Sequence, residues 1–369
     1  MSRPRGVLVS GYYGCGNAGD EAILAGLVEG FRSSDPSVEL TVLSGDPAAT
    51  ESEHGVRAVP RGLASAWRRL RASDLLISGG GGLLQDTTSW RSPLYYLAVM
   101  KLARRAGIPV ACLGQGIGPL RRRFVRSLAR RVLSGVPLIA VRDQGSAEEL
   151  RLLGVAQPVE VTADLAFLLP EPSREERDEA WEKAGLGPDT RPVAAIALRA
   201  PPEAGRAGLS AALAEAIGGA CEQLGLRMVL LPMNPSRDLA LSTQVAQALR
   251  SGAEVVSAKL CARELLALVG GCDVVIAMRL HALIFAAICG VPPVAISYDP
   301  KVDALVEQLG LPPSTSTAEF HPQALSEVIH DAWQARTEVS RRLRGRAEAL
   351  RQAAWRNIEL ARQLLYRGG

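Results

Sequence analysis

A repeated alternation constrains this chain more than any other feature. Short apolar runs closing on Gly, Ser, Asp or Arg are GVLVSG (6–11), LTVLSG (40–45), LLISGG (75–80), VACLGQG (110–116), LIAVRD (138–143) and VEVTAD (159–164). Between them lie helix-length segments, among them 20–33, 94–106, 121–134 and 144–153. Runs apolar throughout, rather than at every second residue, are strands covered on both faces, which is the condition of a parallel sheet. Gly after a segment, as in Arg105-Ala106-Gly107, ends a helix. Strand and helix in alternation predict the α/β class with a doubly wound sheet.

The charged, Pro-bounded interval 170–192 reads as a linker carrying one short helix, and beyond it the pattern resumes with VAAIALR (193–199), RMVLLP (227–232), EVVS (254–257), DVVIAMR (273–279) and VAISYD (294–299). The expected architecture is two Rossmann-like domains, 1–169 and 193–323, facing across a cleft. A chain of 369 residues has room for both at roughly 100–200 residues per domain. The Arg-rich remainder, 324–369, keeps helical spacing (Leu325, Val328, Ile329, Trp333, then Leu343, Leu350, Ile358) and predicts terminal helices packing back on the N-terminal domain.

Composition removes several classes of function. A net charge of +4, from 42 basic and 38 acidic groups, is too small for a dedicated nucleic-acid binder. The most apolar region, 264–298, is broken by Asp273, Arg279, His281, Pro292 and Pro293, so no stretch reaches the ~18 residues of a membrane span and any membrane contact is peripheral. Six Cys without a C-x-x-C pair indicate a reducing compartment. Arg3 and Arg5 precede an apolar stretch that runs straight into a glycine loop, which is no signal sequence, so the expected location is the cytosol. His54, His321 and His330 lack ligand spacing, and no metal site is expected. Arg68, Arg69 and Arg71, with Arg121, Arg122, Arg123, Arg126, Arg130 and Arg131, form basic runs on predicted helices. They read as solvated faces or as a surface for an anionic membrane.

Ligands of open α/β sheets bind beyond the carboxyl ends of the strands, where the unusual residues of this chain fall. In GYYGCGNAGDEAIL (11–24), Gly14, Gly16 and Gly19 spell G-x-G-x-x-G. Asp20 and Glu21 at the helix start would repel a pyrophosphate, and Gly45-Asp46 comes later than the ~20-residue offset of a ribose-binding acid, which argues against a nicotinamide cofactor. The glycines then make a tight turn with Asp20 as an N-cap, or the loop offers Tyr12, Tyr13 and Asn17 to a sugar. SGGGGLLQDTTS (78–89) and GQGIGP (114–119) let backbone N–H groups approach an anion or a hydroxyl, with Gln85, Asp86 and Gln115 as polar contacts.

A further constellation carries acid–base chemistry: Arg142 after its strand, Arg279 and His281 after another, and Lys301 after the next. The basic residues are 38 Arg and only four Lys, and there are four His, so each Lys and His is informative. The spacing from His281 to Lys301 is one helix and one strand. If those strands are neighbours, about 4.8 Å apart, Arg279, His281 and Lys301 meet on one edge. Such a cluster binds a substrate bearing phosphate and carboxylate, and the imidazole moves a proton near neutral pH.

Taken in order over residues 6–302, GYYGCGNAGDEAIL, SGGGGLLQD, GQGIGP, AVRD and MRLHALIFA followed by SYDPK resemble the polysaccharide pyruvyl transferases, in particular the CsaB type of bacterial cell walls, which often carries an aromatic residue where this chain has Cys15. The resemblance implies a GT-B-like fold and transfer of pyruvyl from phosphoenolpyruvate to two hydroxyls of a sugar as a cyclic ketal, with release of phosphate. In the CsaB type the acceptor is an N-acetylmannosamine unit of a lipid-linked secondary cell wall polysaccharide precursor, and the ketal later anchors S-layer proteins. It implies phosphoenolpyruvate contacts at Arg142, His281 and Lys301, with Arg279 beside them; from the loops we expect Gly116 on the donor side as well and acceptor contacts at Tyr12, Tyr13, Asn17, Asp20, Gly81, Gln85 and Gln115. Catalysis would fall to His281, Arg279 and Asp20, with Asp164 as the lesser candidate for the base, and neither metal nor other cofactor is required. The alternatives are a GT-B glycosyltransferase using a nucleotide sugar and a non-catalytic sugar-phosphate binding protein.

Overall fold

Each apolar run of the sequence forms a strand. The computed structural model describes residues 4–87, 89–199, 208–249, 252–317 and 320–367; Arg3, Thr88 of the 78–89 loop and residues 368–369 of the C-terminal segment lie outside them. The chain divides into two compact units, Met1–Leu169 with Leu350–Gly369, and Pro170–Ala349. The first contains β1 (Gly6–Tyr13), α1 (Ala18–Ser34), β2 (Glu39–Ser44), α2 (Pro47–His54), β3 (Arg57–Pro60), α3 (Leu63–Leu70), β4 (Leu75–Ser78), β5 (Gly81–Leu84), α4 (Arg91–Arg105), β6 (Val110–Ile117), α5 (Arg123–Leu133), β7 (Leu138–Val141), α6 (Gln144–Leu153) and β8 (Val159–Val161). The second contains α7 (Arg174–Lys183), β9 (Val193–Ala197), α8 (Leu209–Gln223), β10 (Arg227–Leu230), α9 (Pro235–Ala248), β11 (Glu254–Val255), α10 (Ala262–Gly270), β12 (Val274–Ala277), α11 (Leu280–Cys289), β13 (Pro293–Ser297), α12 (Pro300–Leu309), β14 (Thr315–Ser316) and α13 (Pro322–Gln334). The border between the units falls inside α14 (Arg336–Tyr366).

Both sheets are parallel, in the orders β3-β2-β1-β4-β6-β7-β8, with β5 added beside β6, and β11-β10-β9-β12-β13-β14. Strand order therefore reverses direction between β1 and β4 in one unit and between β9 and β12 in the other, the topological switch points at which open α/β sheets take their ligands. Central strands are sealed on both faces: Val7, Leu8 and Val9 of β1 and Val274, Val275 and Ile276 of β12 are at most 1% exposed. Burial of each such side chain contributes about 1.5–3 kcal/mol. Helix α1 is buried almost all round because a 3-10 turn, Leu165–Leu168, covers its far side; a side chain at Gly26 would collide with the Leu165 carbonyl. By contrast α5 buries only Val125, Ala129, Val132 and Leu133, one stripe at helical spacing, and turns its arginines outward.

Four expectations need correction. The interval 170–192 is not a free linker: α7 packs on α10 through buried Ala180, the Trp181 indole N–H donates to the Leu268 carbonyl at 3.2 Å, and Lys183 pairs with Glu264 at 2.5 Å. Residues 78–89 are not all loop, since Gly81–Leu84 extend the sheet beside β6, and Gly114–Ile117 of the expected 114–119 loop belong to β6 itself. The short strands β3 and β14 were not evident from the sequence. Within 324–369, α13 packs on α8 and β13 of the second unit through Leu325 and Ile329, and only residues from Leu350 onward join the first.

That last segment is tied down by one polar side chain. Asn357, fully buried on α14, accepts from the Gly114 N–H and the Thr162 hydroxyl, both at 2.9 Å, and donates to the Ala163 carbonyl at 3.2 Å and the Ala354 carbonyl at 3.1 Å. All its hydrogen-bonding capacity toward β6 and the β8 end is used. Replacing it with Ala leaves buried donors unpaired, at ~1–3 kcal/mol each. Asn357→Ala is expected to lower the unfolding free energy by about 2–4 kcal/mol, read from urea denaturation.

Candidate active site

The expected donor residues of the second unit lie at its switch point. β12 pairs with β9 on one side and β13 on the other, so the residues following these three strands share an edge. Arg279 is the N-cap residue of α11, and His281 is the second residue of that helix; Lys301 is the second residue of α12. No side chain caps α11, so its N-terminal dipole faces the edge as an anion-attracting end. β12 and β13 are neighbours, as the 20-residue spacing from His281 to Lys301 required for their convergence.

Each cation of this group is held by a carboxylate. Arg279 pairs through Nη2 with Asp238, which is fully buried and also accepts from the Asn234 N–H at 2.8 Å. Lys301 Nζ lies 3.0 Å from Asp299 and 5.3 Å from the centroid of the Tyr298 ring. Burial alone would raise the Asp299 carboxyl, but the Lys301 ammonium and its hydrogen bonds hold it below the ordinary carboxylate value. Arg199, the second residue beyond β9, donates to the Tyr298 hydroxyl at 2.5 Å with its guanidinium 4.7 Å from the ring centroid. Arg199 and Tyr298 were missed as site residues, although both stood at the ends of predicted strands, VAAIALR and VAISYD.

Arg142 belongs to the first unit, just past β7, and is not free. Its Nη1 lies 3.1 Å from Asp164 and its Nε 3.3 Å from Asp143. Both acids are helix caps, Asp143 accepting from the Ser146 N–H at 2.7 Å and Asp164 from the Ala166 N–H at 3.0 Å. Burial opposes the charge on Arg142, yet Asp164 and Asp143 outweigh it and hold the guanidinium protonated. The side chain lies flat on the β6 backbone: a Cβ at Gly116 would stand 2.8–3.0 Å from its guanidinium. Gly116 therefore makes room for Arg142. Asp164 is thus engaged on one oxygen with Arg142 and on the other with the Ala166 N–H.

The acceptor candidates gather at the β1/β4 switch point. Asn17 is the N-cap of α1 without a capping bond, and its amide instead donates to Asp20; the expectation of Asp20 as the N-cap is corrected accordingly. Glu21 closes the loop by accepting from the Gly14 N–H at 2.8 Å and meets His54 at 3.3 Å. Gly81 has φ +86, and a Cβ there would approach Asp20 Oδ1 to 2.8 Å, so a side chain would be both strained and in the way. Asp20 thus lies directly under the second glycine loop. Tyr12 is half-buried, with the Arg61 guanidinium 5.1 Å from its ring.

Two expected sugar contacts are corrected. Tyr13 is 0% exposed, with Gly11 and Gly79 against its ring; burial, then Asp20 and Glu21, push its phenol well above the ordinary value. An enclosed ring has no face for a sugar. Gln115 is also fully buried, donating to the Ser78 hydroxyl at 3.3 Å. Gln85 stays half-buried with its carbonyl accepting from the Thr87 N–H at 3.1 Å, and Asp86 accepts the Arg121 and Arg122 N–H groups at 2.8 Å each, fastening one loop to the other. Arg61 was missed because β3 was missed: it follows that strand, its guanidinium 4.8 Å from Tyr95 and 5.4 Å from Tyr96, donating to the Tyr96 hydroxyl at 2.8 Å. Among the described residues no group of three or more His, Cys, Asp and Glu side chains is placed to hold a metal ion, and no helix is long and apolar enough to cross a membrane.

The chain is similar to known proteins in sequence and in fold. The chain is similar to the amylovoran biosynthesis protein AmsJ of Erwinia amylovora, 24% identical over 374 residues, covering 85% of this chain and 88% of that protein. Among solved structures it resembles a glycosyltransferase from Rickettsia africae (TM-score 0.68, 11% identity, 99% of this chain and 100% of that one). It also resembles the UDP-GlcNAc 2-epimerase of Neisseria meningitidis bound to UDP-GlcNAc (TM-score 0.63, 12% identity, 98% and 99%). At such identities the likeness is one of fold, the GT-B type. The sequence profile named polysaccharide pyruvyl transferase matches residues 17–300, from the cap of α1 to the first residue of α12. Since that span is well over half of the chain, the chain belongs to the polysaccharide pyruvyl transferase family.

Proposed function

We propose that this enzyme transfers the pyruvyl group of phosphoenolpyruvate to two hydroxyls of a sugar, a 4,6-ketal on an N-acetylmannosamine unit of a lipid-linked cell-wall polysaccharide precursor, in the cytoplasm. The observation that carries this reading is the convergence of Arg279, His281 and Lys301 on one edge of the second sheet beside the uncapped start of α11. A trianionic donor suits that edge, with Lys301 and Arg279 on its phosphate and carboxylate. The family resemblance assigns Arg142 to the donor as well, with Gly116 clearing the space for it. Asp20, with Asn17, Tyr12, Gly81 and Gln85 around the β1/β4 edge, serves the acceptor, and buried Tyr13 and Gln115 support that loop from within.

The chemistry balances without a further reactant. His281 gives a proton to the methylene carbon of phosphoenolpyruvate, which becomes the methyl group, and C2 takes on oxocarbenium character stabilised by the neighbouring carboxylate. The first sugar hydroxyl adds to C2 and yields its proton to Asp20. The C2–O bond to phosphate then breaks, phosphate leaves with both electrons of that bond, and the second hydroxyl adds to C2 as its proton is lost. Of the two hydroxyl protons, one restores the acid and the other leaves on hydrogen phosphate.

Phosphate release from phosphoenolpyruvate, with and without an aryl-linked N-acetylmannosaminyl acceptor, tests the reading. Acceptor-dependent phosphate and a product heavier by one pyruvyl ketal are expected. A protein stabilised by a nucleoside diphosphate and inert toward phosphoenolpyruvate would be a nucleotide-sugar glycosyltransferase instead. His281→Ala is expected to lower kcat by about 10²–10⁴-fold. Lys301→Ala is expected to raise the KM for phosphoenolpyruvate by about 10–100-fold with a smaller effect on kcat. Gly116→Ala, which pushes on the Arg142 guanidinium, is expected to raise that KM by about tenfold. A lowered melting temperature with unchanged KM would make Arg142 a purely structural link.

A further inference from the structure

Charge is distributed very unevenly along this chain. Residues 61–134 contain fourteen Lys and Arg and only two Asp, a net of +12, so the remainder of a chain with net charge +4 carries −8. Neither acid offsets the surface: Asp74 accepts from the Gly6 N–H at 2.8 Å and pairs with Arg5, while Asp86 is buried against the Arg121 and Arg122 N–H groups. Arg126 meets Glu149 of α6 at 2.9 Å. Among the described residues Arg68, Arg69, Arg71, Arg121, Arg122 and Arg123 have no carboxylate partner.

The same region carries four of the eight large apolar side chains left exposed among the described residues: Leu63 (45%), Trp67 (40%), Trp90 (39%) and Phe124 (51%). Topology puts three of them at one edge. α3, α4 and α5 follow β3, β5 and β6 of a parallel sheet, so all three helices start at the carboxyl edge. Leu63 is the first residue of α3, Trp90 the N-cap residue of α4, and Phe124 the second residue of α5. α4 packs between α3 and α5, and Trp90 and Phe124 meet edge to face with centroids 5.8 Å apart. An exposed apolar rim backed by unpaired arginines is what a surface needs to insert shallowly among lipid headgroups while its cations neutralise phosphates. Aliphatic Leu63 has nothing to offer a nucleobase and much to offer an acyl chain.

We propose that this edge docks on an anionic phospholipid bilayer through Leu63, Trp90 and Phe124, with Arg121, Arg122 and Arg123 on the lipid phosphates. It is the edge that also bears the glycine loops, so a lipid-carried sugar would arrive at the acceptor side; that consequence alone rests on the proposed reaction.

Flotation of the full chain with vesicles tests the docking without donor or acceptor, and so separates its failure from that of the transfer reaction. Phosphatidylcholine vesicles containing phosphatidylglycerol should carry the protein upward, and pure phosphatidylcholine vesicles should not. R121Q/R122Q/R123Q should reduce binding by about 10–100-fold at low salt. Trp90→Ser with Phe124→Ser should abolish the fraction that survives high salt. R341Q/R342Q, removing exposed arginines that pair with Glu338 on α14, should leave binding unchanged. Absence of flotation, equal binding to neutral vesicles, or full binding by the arginine variant with an unaltered melting temperature would each overturn the proposal. Arginine-dependent retention of single-stranded RNA, with no vesicle binding, would overturn it in favour of nucleic acid.

Discussion

Parallel strand pairing is the constraint on which the rest of this protein depends. Because neighbouring strands run in one direction, every chain reversal carries the backbone over a face and back, and every helix begins at the same edge of its sheet. Residues far apart in sequence are thereby collected: Arg199, Arg279, His281 and Lys301 span about a hundred positions yet follow three adjacent strands. At the switch points β1/β4 and β9/β12, crossovers on the two sides leave in opposite directions and the edge opens for a ligand. The chemistry stands there because the edge is where a parallel sheet leaves polar backbone and side chains unburied.

Given that placement, carboxylates fix the direction of the cations. Arg142 is clamped by Asp143 and Asp164, Arg279 by Asp238, and Lys301 by Asp299. A long cationic side chain in water has many rotamers, and ordering it on binding costs affinity; one already held by a hydrogen-bonded acid does not incur that cost again. Three of these acids, Asp143, Asp164 and Asp299, also cap helices, one carboxylate oxygen accepting from the helix N–H while the other holds Arg142 or Lys301. Fold stability and side-chain orientation share their carboxylates here.

How far the sequence revealed this depended on the range of the interaction. Apolar runs marked all the long strands, because burial on both faces leaves a local signature, and the His281–Lys301 spacing matched two neighbouring strands, β12 and β13, because a helix plus a strand has a nearly fixed length. The failures were of other kinds. β3 and β14 are edge strands of four and two residues, too short for any period, and with β3 went Arg61. Tyr13 and Tyr12 are adjacent and chemically alike, but alternation along β1 sends one ring into the core and leaves the other half-buried, so proximity to a glycine loop misled. Asn357 stands in a polar and Arg-rich helix; its bonds to Gly114 and Thr162 join positions about 200 residues apart and leave no local trace.

The two switch points differ in the one property their shared topology does not set, which is charge. After β9, β12 and β13 come Arg199, Arg279, His281 and Lys301, with Asp238 and Asp299 already committed to two of them. After β1 come Asp20 and Glu21, buried at the start of α1 and beside a phenol, Tyr13, that their charges help to keep protonated. A trianionic ester is stabilised by the first environment and repelled by the second, whereas a neutral sugar hydroxyl that must lose a proton gains from a carboxylate and nothing from an ammonium. In the reaction we propose, one fold used twice with opposite charge sorts donor from acceptor by electrostatics. The arginine-rich helices α3 and α5 extend the contrast outward: they begin at the acid-bearing edge but turn exposed arginines to the exterior.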